Sequence, residues 1–131
     1  GYDSSQIPDF IFGLAQRFNI QKYVVDDCAQ GDAINKVLIK QGRNVVLFDF
    51  RKVKVKYFCS LKSRFVNNKV KIPDIPELVA QLKAMEVEEN KKGGLSIHKP
   101  PRGKDDRVDS FVMAASPYLE EGNKALKSYW I

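Results

Sequence analysis

Two short apolar runs, Tyr23-Val24-Val25 and Val45-Val46-Leu47-Phe48, flank a segment with helical spacing, and no other feature of the chain limits its fold as strongly. Strands that read as continuous apolar runs, without alternation, are those buried on both faces of a parallel sheet. Parallel neighbours cannot be joined by a tight turn; they need a crossover, usually a helix. The sequence supplies one: Gly31 opens it, Ile34, Val37 and Leu38 repeat on one face, and Gln41-Gly42 ends it. Strand Lys22–Asp26, helix and strand Val45–Phe48 therefore predict a right-handed βαβ unit in an α/β protein. Functional groups of open α/β sheets collect at the carboxyl ends of strands, which is where Asp26 falls. An Asp in that position is equally a turn former or a helix cap.

The remaining elements follow from periodicity. Pro8 and Asp9 open a helix over Ile7–Arg17, with Phe10, Ile11, Leu14, Ala15 and Phe18 on one face. Tyr57, Phe58, Leu61 and Phe65 mark a third helix within Lys54–Asn67, its Lys and Arg residues outward. Asn67-Asn68 predicts a turn, Lys69–Ile72 a short strand stopped by Pro73, and Ile75–Met85 a fourth helix packed through Leu78, Val79, Leu82 and Met85. Glu86–Lys92 with Gly93-Gly94 predicts an exposed turn before a strand at Leu95–His98. Lys99–Lys104, rich in Pro and basic residues, is a loop leading to a last helix that ends near Leu119. Residues 120–131 form a tail whose Leu126, Tyr129 and Trp130 carry enough apolar surface to dock on the body or on a partner. A length of 131 residues fits one domain, residues 1–131.

Charge narrows the function. The net charge is +6, and the stretch Lys36–Lys71 holds most of the excess, with Asp49 as its single acid. Lys52, Lys54, Lys56, Lys62 and Arg64, together with Arg102 and Lys104 of the loop, form a plausible footprint for a nucleic-acid backbone. The plainer alternative is a set of solvated helix faces. The stretch reads as lacking aromatic residues interleaved for base stacking, so backbone contact is favoured over sequence reading. No apolar run approaches the roughly 18–20 residues of a membrane span, and the start lacks a signal-peptide layout. Cys28 and Cys59 are isolated, which argues against a zinc site or a disulfide scaffold and for reduced thiols inside a cell. One histidine and no nucleophile or P-loop motif argue against triad chemistry and P-loop nucleotide hydrolysis.

The acids supply the remaining chemistry. In Lys104-Asp105-Asp106-Arg107-Val108-Asp109-Ser110, Asp106 and Asp109 are three residues apart at a helix start, while Val108, Phe111, Val112 and Ala115 face inward. Acids there are stabilised by the helix dipole, so capping alone accounts for them. If Asp26 converges with Asp106 and Asp109, the oxygen-only set suits Mg2+ or Mn2+ better than zinc. A pair of such ions activates water and stabilises a leaving phosphodiester oxygen. Beside the basic stretch this predicts nucleic-acid cleavage. His98 is read as a strand histidine with a hydrogen-bond partner in preference to a metal ligand.

These residues resemble a known family. Val24-Val25-Asp26, Gly31 five residues on, a helix, a second apolar strand and a Lys-rich helix leading to Val70-Lys71-Ile72-Pro73 look like the nuclease domain of the large terminase subunit of tailed viruses. The run from Lys104 to Ala114 is similar to that family's last acidic motif and to the acidic last helix of Holliday-junction resolvases. The resemblance implies a ribonuclease H-like fold, with a central, mostly parallel sheet flanked by helices. It further implies a metal-dependent DNA endonuclease using Mg2+ or Mn2+. Its second metal-binding acid corresponds to Asp26, with Asp27 the lesser choice, and its third to Asp109, with Asp106 as a further ligand or water-orienting group. Implied partners are double-stranded DNA and other subunits of a viral packaging complex, in the host cytoplasm. The family's first catalytic Asp precedes the first helix, and this chain begins almost at that helix. The expectation is a portion of a longer nuclease domain, a poor nuclease alone, with Asp3 a weak substitute. Two alternatives stay open: a resolvase- or transposase-like nuclease of the same fold, and a non-catalytic module binding DNA or protein.

Overall fold

A computed structural model describes residues 4–27 and 31–120 of the chain. Asp3, Cys28 and the tail beyond Glu120, with Leu126, Tyr129 and Trp130, lie outside the described residues. The structure is mixed α/β and divides into two compact units, Gly1–Phe50 and Arg51–Ile131.

In the first unit a short 3-10 turn, Ser4–Gln6, leads into α1 (Ile7–Arg17), the helix predicted over the same residues. Pro8 suits the first turn because its missing N–H has no intrahelical partner there. The apolar face of α1 is less covered than its periodicity predicts: Phe10 is 56% and Phe18 54% exposed, and no residue of the helix is fully buried. Strand β1 (Tyr23–Asp26), helix α2 (Asp32–Lys40) and strand β2 (Val45–Phe48) form the predicted βαβ unit, with β1 and β2 parallel and Asp26 opposite Phe48. Helix α2 closes on Gly42 at φ +72, and the Arg43 N–H reaches back to the Leu38 carbonyl at 3.1 Å. A side chain with a Cβ is strained at that φ, so glycine is the residue the stop requires. Leu38 and Asn35 of α2 and Phe50 are buried.

The second unit contains most of α3 (Phe50–Val66), then α4 (Pro76–Ala84), β3 (Glu86–Glu89), β4 (Leu95–His98) and α5 (Asp106–Glu120). Its core is drawn from the predicted faces: Tyr57, Phe58 and Leu61 of α3, Leu78 of α4, and Val108 and Val112 of α5 are buried, whereas Phe65, Val79, Leu82, Met85 and Phe111 are only partly covered. Asn68 ends α3 in the left-handed region at φ 54, with the Lys69 N–H bonded to the Arg64 carbonyl at 2.8 Å, so the predicted Asn67-Asn68 turn is a helix stop. Two expectations are corrected here. Residues 69–72 form no strand: among the described residues they pair with neither of the two sheets, and Pro73 follows them. Glu86–Glu89, expected within a turn, is instead a strand paired antiparallel with β4, Val87 opposite Ile97. Its four residues are all exposed, so the apolar alternation that identifies a strand was missing. The Gly93-Gly94 turn lies where expected, with Gly93 at φ +76 and Asn90 Oδ1 accepting from the N–H groups of Lys92 and Gly94.

Among the described residues the strands make two separate two-stranded sheets, one parallel and one antiparallel. No helix among them is long and apolar enough to cross a membrane.

Candidate functional site

The last residue of β1 is Asp26. Its carboxylate Oδ1 accepts the backbone N–H of Phe50, the first residue of α3, at 3.3 Å, and its carbonyl accepts from the buried Asn35 side chain at 3.4 Å. Asp26 is thus held at the carboxyl end of a parallel strand, facing a helix start. Asp27 beside it is exposed and extends the strand ladder through its N–H to the Phe48 carbonyl at 2.9 Å.

In the second unit α5 starts as the spacing predicted, but its cap comes from elsewhere in the chain. The side-chain oxygen of Gln81, on α4, accepts the N–H groups of Arg107 at 3.1 Å and Val108 at 3.2 Å. This satisfies two of the donors a helix start leaves open. The acids of the motif are therefore released from capping those two groups.

They gather on a lysine. Lys54 of α3, its side chain 16% exposed, donates from Nζ to Asp109 Oδ2 at 3.0 Å and to Asp105 Oδ2 at 3.4 Å. Lys99 adds a second ammonium 3.5 Å from the other Asp105 oxygen. Lys54 also stands 3.0 Å from Asp109 Oδ1, but that oxygen is shut off from solvent and has no hydrogen-bond partner. The separation satisfies an ion pair while the alignment of a hydrogen bond is lacking, so Oδ1 is an acceptor with unused capacity. Burial pushes the Asp109 carboxyl above its ordinary value of 3.8; the Lys54 hydrogen bond and charge oppose this, and the charges of Asp105 and Asp106 add to it.

Asp106 is exposed on the first turn of α5, where its carbonyl accepts from Ser110 Oγ at 2.7 Å. The carboxylate that shares the lysine with Asp109 is Asp105, which the sequence reading passed over in favour of Asp106. The signal was present: Asp105 lies four residues before Asp109 and so falls on the same side of the helix start. Asp26 belongs to the first unit and Asp109 to the second. Among the described residues no group of three His, Cys, Asp or Glu side chains is gathered to hold a metal ion.

Of the basic residues singled out, Lys52, Lys56, Lys62, Arg102 and Lys104 are exposed. Lys56 places its ammonium 5.3 Å from the Tyr57 ring centroid. Lys54 departs from the expected outer face, being turned to the acids, and Arg64 is half-buried with its guanidinium 3.5 Å from the Leu119 carbonyl. His98 has the partners expected of it: Nε2 lies 3.1 Å from Glu88 and Nδ1 3.3 Å from the Lys99 carbonyl. These hydrogen bonds, the Lys99 carbonyl first, raise its pKa above 6.5.

No protein-family pattern and no curated protein matches the sequence. Solved structures do match. The large terminase nuclease from thermophilic phage G20c superposes with a TM-score of 0.74 at 24% identity, over 88% of this chain and 63% of that one, in a form with bound cobalt. Its form with bound magnesium gives a TM-score of 0.75. The large terminase nuclease domain of Thermus phage P74-26 gives 0.73 at 25% identity, over 95% of this chain and 64% of that one. The fold is that of the phage large terminase nucleases. The ribonuclease H-like class implied by the motifs is thus supported by the course of the backbone over nearly the whole chain. The chain spans 62% to 64% of the length of these terminase nucleases.

Proposed function

We propose that this chain is part of a terminase-type nuclease domain that hydrolyses phosphodiester bonds of double-stranded DNA with the help of carboxylate-held divalent metal. The observation that carries the reading is the backbone likeness to phage terminase nucleases over 88% to 95% of the chain, one of them with magnesium or cobalt bound. The whole chain, residues 1–131, then belongs to one nuclease domain, with the wider, mostly parallel sheet of that fold continuing from β1 and β2. Other subunits of a viral packaging complex are the fitting partners, and the interior of an infected host cell the fitting place.

One carboxylate of the second unit supports such a metal. Asp109 offers an enclosed oxygen that accepts no hydrogen bond although the Lys54 ammonium stands 3.0 Å from it, and carboxylate oxygens are ligands that suit Mg2+ or Mn2+. Asp26, Asp106 and Asp109 are the proposed ligands, and Asp105 joins them through the lysine it shares with Asp109. When bound, the metal supplies an activated water and neutralises the charge that develops on the phosphate. The chain's own contribution is positional. Gln81 fixes the first turn of α5, α5 sets the direction of Asp109, and the Phe50 N–H holds the Asp26 carboxylate at its strand end. Exposed Lys52, Lys56, Lys62, Arg102 and Lys104 contact DNA phosphates without reading sequence.

Titration of Mn2+ into the protein, followed by paramagnetic resonance, tests the reading. Wild type is expected to bind the ion weakly and Asp109→Asn to bind it less; equal titrations would remove Asp109 from the metal site. A second reading is favoured by one observation, the capping of Phe50 by Asp26: a DNA-binding module whose acids serve structure alone. Under it neither protein binds Mn2+ and DNA binding persists.

A further inference from the structure

The second unit carries an apolar groove of about 790 Å3 that the proposed chemistry does not use. It is lined by α3, α4 and the β3–β4 hairpin, through residues such as Phe58, Phe65, Leu82 and Ile97. Val66, Val87 and Leu95 along it are open to solvent, at 73%, 58% and 49% exposure. Contiguous exposed apolar side chains on a concave surface mark a site of association. Among the described residues, the charged ones that line the groove are Lys62 of α3 and Lys83 of α4, both exposed, and no carboxylate is paired with either.

We propose that the groove docks an acidic amphipathic helix of a partner protein, its apolar side chains seated in the groove and its flanking carboxylates meeting Lys62 and Lys83. The two ammoniums come from different helices of an otherwise uncharged lining, so the complement is a row of apolar anchors bordered by acids. On α3 the lining runs from Phe58 to Val66, about 12 Å along the helix axis, which roughly two turns of a docked helix would match.

A second copy of this chain would bring the wrong charge. Helix α3 contains no acid, and α1 and α4 contain one each, Asp9 and Glu77. Asp32 of α2 is tied to Lys36 at 2.6 Å, and Asp109 of α5 is held by Lys54. With a net charge of +6, two copies also repel one another, whereas an acidic partner is drawn in. The inference does not rest on the nuclease reading, since none of Asp26, Asp105, Asp106 and Asp109 lines the groove.

Cys59 also lines the groove and its free thiol is exposed, so its alkylation reports occupancy. The probe is a synthetic peptide of about four helical turns, with one row of Leu flanked by Glu. Labelling of Cys59 by iodoacetamide, read by mass spectrometry, is expected to slow several-fold with this peptide, and not with versions carrying Lys for Glu or Ser for Leu. Lys83→Glu alters an exposed side chain, so the fold is retained, as far-UV dichroism would verify, and most of the protection should be lost. Equal protection by the Glu and Lys peptides, protection by neither, or protection undiminished in Lys83→Glu would overturn the proposal. So would labelling that is slow without peptide and quickens on dilution, which would assign the groove to a second copy, or protection by duplex DNA in place of the peptide.

Discussion

Lys54 and Asp109 are 55 residues apart in the chain and 3.0 Å apart in the structure, and the same ammonium reaches Asp105 at 3.4 Å. One cation thereby holds together two carboxylates of the acidic motif. The arrangement ties α3, the most basic helix, to the start of α5, so the charge that sequence alone would assign to DNA is partly spent inside the protein.

Replacing Lys54 by Met should leave Asp109 half-buried without its donor. With the two side chains 16% and 24% exposed, the loss belongs with partly buried charged hydrogen bonds, about 1–3 kcal/mol. Urea unfolding of the variant measures it. A change below about 0.5 kcal/mol, the size of ordinary surface substitutions, would mean that the pair contributes nothing.

The pH dependence of the same site has a definite sign. The folded-state pKa of Asp109 is raised above 3.8, chiefly by burial, so the folded chain holds this proton more tightly than the unfolded one. The associated stability is complete below the unfolded value and is lost as pH rises through the folded one. Asp109→Asn removes the titration. The variant should therefore gain on wild type as pH rises through that window, measured by urea unfolding at a series of pH values. A gain in the opposite direction would show that the Lys54 bond outweighs burial.

Gln81→Ala should cost about 1 kcal/mol, within a range of about 0.5–2, because it leaves the N–H groups of Arg107 and Val108 without their acceptor. Gln81→Glu should cost less, since a carboxylate accepts the same bonds and favours the positive end of the helix. Thermal unfolding of both variants checks the order, and equal losses would show that side-chain shape matters more than the acceptor.

Lys52, Arg102 and Lys104 are exposed and so make a cleaner test of DNA binding than Lys54, whose loss would disturb the acids. Changing the three to Glu should weaken binding equally for different sequences. The slope of log affinity against log salt should fall by about 0.9 for each phosphate contact removed. An unchanged slope in a binding assay at several salt concentrations would place the DNA elsewhere.

Much of the architecture was legible in the residues because it depends on local periodicity. Helix α1, the βαβ unit and the inward face of α5 follow from the spacing of Phe10 to Phe18, Val24 to Phe48 and Val108 to Ala115, since each spacing directs apolar side chains to one side of a regular element. The order of Asp26, Gly31 and the Asp105–Asp109 motif also resembles that of the terminase nuclease fold at the level of residues alone. The strand Glu86–Glu89 was not legible, because its partner strand and its turn make it a strand while its own side chains stay in water.

The chemistry of the acidic motif was legible only in kind. That Asp residues at a helix start can cap it, pair or bind metal follows from their charge, and the sequence by itself determined that acids stand there at the spacing of one helical turn. Which of them do what was decided by the tertiary structure. Gln81 arrives from α4 to take two open N–H groups, and Lys54 arrives from α3 to draw Asp105 and Asp109 together. The exposed Asp106, adjacent to Asp105 in sequence, lies one position further round the helix. Local propensity is set by a residue and its neighbours within a few positions, whereas the partner of a buried carboxylate is set by the packing of helices that are distant in sequence. A single chain of letters therefore names the charged groups, and only the folded backbone brings an ammonium within 3.0 Å of one of them.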